Sequence, residues 1–148
     1  MKICGISDIH GDLSVKIQPC DVLCICGDIV PLEVQVNSKK SKRWLKELFI
    51  PWCSKQPCKK VLVVGGNHDF FLWHHPLQMK EMVKEEEKIE YLLNEGYEFE
   101  GVKFFGTPLC KEFGYWAFMY PYDEQDRILD KALEEWGKNI DVLLTHDS

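Results

Sequence analysis

Three short apolar runs do most to limit what this chain can fold into: KICGIS (2–7), DVLCIC (21–26) and KVLVVG (60–65). Each is rich in Val, Ile or Cys, and each gives way to Gly, Ser or Asp. A strand with one wet face alternates apolar and polar residues, whereas a near-continuous run needs cover on both faces. The runs therefore predict strands in a sheet enclosed by other layers.

Between the second and third runs, SKRWLKELFIPWC (41–53) sets Trp44, Leu45, Leu48, Phe49 and Trp52 on one helical face, with Pro51 near its end. HPLQMKEMVKEEEK (75–88) predicts a shorter helix with an acidic outer face. Residues 89–106 read as strand, turn, strand, tight turn, strand, a β-meander broken at 94–96 and at Glu100-Gly101. DEQDRILDKALEEWGKN (123–139) predicts a helix that buries Ile128, Leu129, Ala132, Leu133 and Trp136 and stops at Gly137. A last strand is expected over 141–145, and the longest irregular loop over 29–42. Parallel strands joined by helices, plus a meander, make a mixed α/β fold in a single domain spanning 1–148.

Composition narrows the partners. The net charge is −6, and the one basic run, SKKSKR (38–43), is short. That balance argues against nonspecific nucleic-acid binding, so nucleic acid is expected only as a substrate. It leaves room for a phosphate ester, because bound cations reverse the local field. No stretch of about 18 apolar residues and no leader-like N-terminus are present, so the expectation is a cytoplasmic protein with no membrane partner. The seven cysteines are odd in number and include no C-x-x-C pair. Cys24 and Cys26 share one face of a strand and are expected as buried, reduced thiols rather than a soft-metal pair.

The residues that follow each strand carry the chemistry. The first run leads into Ser7-Asp8-Ile9-His10-Gly11-Asp12, the second into Gly27-Asp28, and the third into Gly65-Gly66-Asn67-His68-Asp69. The last leads into Thr145-His146-Asp147. Ligands of open α/β sheets bind beyond the carboxyl ends of the strands. Any one of these tips is ordinary turn chemistry. Four together offer the oxygen and nitrogen donors that two divalent ions require, with Asp28 as the natural bridging carboxylate.

D-x-H, G-D, G-N-H-D and T-H in this order, each behind a strand, resemble the calcineurin-like metallophosphoesterases along the whole chain. Residues 102–120 further resemble the small class III cyclic-nucleotide phosphodiesterase branch. The resemblance implies an αββα sandwich of mixed sheets flanked by helices. It also implies two divalent ions, Mn, Fe or Zn. Asp8, His10 and Asp28 would hold one ion, and Asp28, Asn67 and His146 the other. His68 would lie beside the scissile phosphate as a general acid or charge stabiliser, with Asp69 orienting its ring. The implied reaction is hydrolysis of a small phosphate ester, most naturally a phosphodiester, by a hydroxide bridging the ions.

The family pattern continues into a G-H-x-H motif that this sequence lacks. LLTHDS therefore reads as an interruption, with a C-terminally truncated domain, a frayed terminus, weak or absent activity, and self-association through the uncovered C-terminal face as expectations. Two alternatives stand beside the phosphoesterase: a non-catalytic metal-binding or oligomerisation module, and a Ser/Thr protein phosphatase.

Overall fold

In the computed structural model, which describes residues 1–147, the chemistry-bearing tips are set by two sheets packed face to face. The first sheet is parallel, in the order β1 (Ile3–Ile6), β2 (Val22–Cys26), β3 (Lys60–Val64), β4 (Ile89–Tyr91). The second pairs β5 (Glu95–Phe99) antiparallel with β6 (Val102–Thr107), which pairs in parallel with β9 (Val142–Thr145). A two-stranded ribbon, β7 (Cys110–Lys111) with β8 (Met119–Tyr120), completes the strands among the described residues.

Burial on both faces of β2 and β3 has a direct cause. Leu23, Ile25, Val61 and Val63 pack under helices, in a core that includes Leu45, Phe49, Phe71 and Met79. The alternate residues Val22, Cys24, Leu62 and Val64 face the second sheet and meet Phe104 and Leu144. Cys24 and Cys26 do share this inter-sheet face, the first buried and the second half-buried, and all seven cysteines are free. β1 departs from expectation. It is the edge strand, and Ile3 and Gly5 are exposed, because the contacts between sheets run through β2 and β3.

Against the outer face of the first sheet run α1 (Ser38–Trp44), a π-helical turn (Leu45–Phe49) and α2 (Ile50–Ser54) as one continuous segment. The helix begins inside the stretch expected to be loop, capped by Asn37, whose side-chain oxygen accepts from Lys40 N. Leu48 is 53% exposed, against expectation. The π turn, closed by Ile50 N on Leu45 O, admits an extra residue and shifts the phase of the apolar stripe. α3 (Phe70–His74) and α4 (Pro76–Val83) follow, the latter ending five residues short of the predicted helix.

The meander is not formed. β4 closes the first sheet beside β3, and the chain then turns at Asn94, with φ 53°, to start the second sheet. α5 (Tyr122–Trp136) covers β5, and Gly137 at φ 103° ends it as expected. Its apolar stripe is half-buried rather than buried. A Cβ at Gly96 would lie 2.0 Å from the Trp136 ring, so the absence of a side chain is what lets the indole lie against β5. The layers are thus helix, sheet, sheet, helix. No helix among the described residues is long and apolar enough to cross a membrane.

Candidate metal centre

The loops after β1 and β2 are zipped together by backbone hydrogen bonds. Asp8 N donates to Gly27 O at 3.0 Å, His10 N to Asp28 O at 3.0 Å, and Gly11 N to Ile29 O at 2.9 Å. Asp8, His10 and Asp28 all sit in the left-handed region, at φ 54°, 40° and 53°. Each costs on the order of 1 kcal/mol relative to the right-handed alternative, and such cost persists only where the surroundings impose it. Here it bends both loops so that three donor side chains face one space.

Asp28 is buried at the centre of that space. Its Oδ1 accepts from His68 N at 2.9 Å and lies 3.3 Å from His146 Nε2. Its Oδ2 lies 3.7 Å from His10 Nε2 and 3.9 Å from His68 Nε2. Asp8, Asp28 and His146 each offer a ligand atom within 4.8 Å of the others. Asn67 is buried and joins them through Oδ1, 2.9 Å from His146 Nε2. The structure therefore brings Asp8, His10, Asp28, Asn67, His68 and His146 to one place.

Two rings test whether this donor set suits a cation. His146 Nδ1 faces Cys26 O at 2.8 Å, so that nitrogen carries the proton. Nε2 faces two further oxygens, Oδ1 of Asn67 at 2.9 Å and Oδ1 of Asp28 at 3.3 Å. Positive charge placed among the three reconciles them. His10 has Nδ1 buried without a partner among the described residues, and Nε2 stands beyond hydrogen-bond reach of Asp28. The set fits a divalent ion by charge and donor type.

The expected fraying stops short of this residue: His146 is buried, and its Nδ1 donates to Cys26 O. The role expected of Asp69 is also corrected. Its Oδ1 accepts from Ile29 N and Val30 N, both at 2.9 Å, and its Oδ2 from Gly66 N at 2.8 Å. Burial pushes this carboxyl up to about 7, while the three N–H donors pull the other way. It is a brace between the second and third strand tips. The His68 ring is held instead by Gln35, with 2.7 Å between Nδ1 and Oε1. Gln35 lies in the 29–37 loop, where nothing in the sequence separates it from its polar neighbours. Trp116, 4.5 Å from the His68 ring by centroids, was likewise hidden in the aromatic-rich stretch 113–118.

A curated relative, a probable rhamnogalacturonate lyase C of Emericella nidulans, is 27% identical over 157 residues. That alignment takes in 99% of this chain but only 13% of the relative, so the chain spans about an eighth of that protein. A solved crystal structure is similar at a TM-score of 0.67 and 18% identity, over 99% of this chain and 68% of that one, and shows the fold. The family model for calcineurin-like phosphoesterases matches residues 1–148. With its strand-tip donors and its two-sheet sandwich, the chain belongs to the calcineurin-like phosphoesterase family.

Proposed function

We propose that this chain hydrolyses phosphodiesters at a dinuclear centre, with Asp8, His10 and Asp28 holding one divalent ion and Asp28, Asn67 and His146 the other. The observation that carries the reading is the buried Asp28 carboxylate, with imidazole nitrogens of three histidines within 3.9 Å of its two oxygens. Bound divalent ions would acidify a water nucleophile and neutralise charge on the phosphoryl oxygens. Asp28 uses both oxygens toward the centre, as a shared ligand must. His68 is fixed from two sides, by its own N–H on Asp28 and by Gln35 on its ring, which leaves Nε2 turned to the centre. From there a charged His68 ring can pass a proton to the leaving oxygen, a role worth about 10²–10⁴ in rate.

Hydrolysis of bis-p-nitrophenyl phosphate, with Mn²⁺ added and then chelated, tests the proposal alongside thermal melts. Turnover and a metal-dependent rise in melting temperature are expected in the parent, and both should be lost in Asp28→Asn. That variant retains an acceptor for His68 N, so its fold should survive. Turnover indifferent to chelation would overturn the dinuclear reading. A metal-dependent rise with no turnover would leave a metal-binding module in its place.

A further inference from the structure

Beside the centre lies a recess of about 360 Å³ lined by Asn67, His68, Phe113 and Trp116. It is therefore lined by two residues of the centre and by two aromatic residues. The loop between β7 and β8 that carries these rings is anchored to the third strand tip. Ala117 N donates to Asn67 O at 2.9 Å, and Cys110 N to Phe118 O at 3.0 Å. Phe118 is buried at φ 58°, with its ring against Gly65, where a Cβ would come within 2.7 Å of it. Trp116 thus stands on a fixed footing, backed by Phe70 at 6.2 Å between centroids.

The same loop leaves Phe113 54% exposed and Tyr115 wholly exposed. Apolar rings held open at the rim of a polar centre mark a surface meant for a ligand rather than for the core. Among the described residues, no carboxylate or amine lines the recess. Away from Asn67 and His68, which belong to the centre, the recess offers a ligand flat apolar area.

Taking the proposed centre as given, we infer that this recess receives a planar aromatic ester group of the substrate. The ring would stack on Trp116 and Phe113 while the phosphate sits over Asp28, Asn67 and His68. Aromatic stacking of this kind tolerates many ring systems, because every flat ring offers a π face. The centre would accordingly favour aryl-type phosphoesters as a class and discriminate weakly among them.

Phosphonates that cannot be hydrolysed separate binding from turnover. Calorimetric titration of the Mn²⁺-loaded protein with phenyl-, cyclohexyl- and methylphosphonate should rank them in that order. Phenyl should exceed methyl by roughly 10-fold. Cyclohexyl, similar in bulk but not flat, should fall between. In Phe113→Ala, at an exposed position that folding does not need, and in Trp116→Leu, the phenyl-to-methyl ratio should drop toward one. Metal-dependent binding of methylphosphonate, with no phenyl preference in the parent, would overturn the aromatic subsite and leave the centre standing. So would a preference that survives both substitutions. Failure of every phosphonate to bind with metal present would remove the centre and this subsite together.

Discussion

Removing the Asp69 carboxylate should cost stability rather than catalytic alignment, and the size of the cost follows from its three bonds. Ile29 N, Val30 N and Gly66 N all lie in buried backbone and all donate to it. In Asp69→Ala each loses its acceptor, and an orphaned buried donor costs about 1–3 kcal/mol. The sum is roughly 3–9 kcal/mol, with the lower end applying if water enters the vacated space. A domain of this size loses about 2–4 °C of melting temperature per kcal/mol, so a fall of at least about 6 °C is expected. Asp69→Asn should be milder, at about 1–3 kcal/mol. Its amide oxygen can still take Ile29 N and Val30 N, but its NH₂ group then meets Gly66 N. Thermal and urea unfolding in the presence of chelator measure both variants free of any metal contribution. Gln35→Leu is the control: it releases the His68 ring and should leave the melting temperature within about 1 °C of the parent. If Asp69→Ala melts within about 2 °C of the parent, the bracing role is wrong.

Two further outcomes are open to direct measurement. Gly27→Ala places a Cβ 2.4 Å from His146 Nδ1 and 2.8 Å from Gly66 Cα, at φ +85°. It should lower the melting temperature and shrink the rise produced by Mn²⁺; an unchanged response to metal would show that His146 does not need its present seat. Burial pushes the Cys24 thiol up to about 12, which keeps it in the unreactive thiol form at pH 8. Maleimide labelling of the native protein followed by peptide mapping should leave Cys24 unmodified until denaturant is added, and rapid native labelling would contradict its place between the sheets.

The positions of the donors were legible because apolar runs and the residues after them are local signals. Asp8, Asp28 and Asn67 each follow a strand whose pairing was implied by its own composition. Which sheet a strand joins is not local. Ile89–Tyr91 and Glu95–Phe99 look alike as strand segments, yet one completes the parallel sheet and the other opens the second. Only packing against Val61–Val63 on one side and Val102–Gly106 on the other separates them. Leu48 failed for a different reason, since a regular helical period cannot anticipate a π turn. Gln35 and Trp116 reach His68 through the closure of loops, and Asp69 was misread because its partners are backbone N–H groups, which every sequence contains.

The seat of His146 also sets an order of events. Its ring bonds Cys26 O across 120 residues and approaches Asn67 Oδ1 across 79, whereas Asp28 meets His68 across 40. Pairing of β2 with β3 is enough to bring the second and third tips together early. The fourth donor arrives only when β9 has found β6 and the two sheets have docked, the step with the largest chain closure to complete. In a refolding experiment on the proposed centre, uptake of metal by the site that uses His146 should therefore lag behind secondary structure and coincide with sheet docking, so that metal uptake would serve as a clock for the last stage of folding.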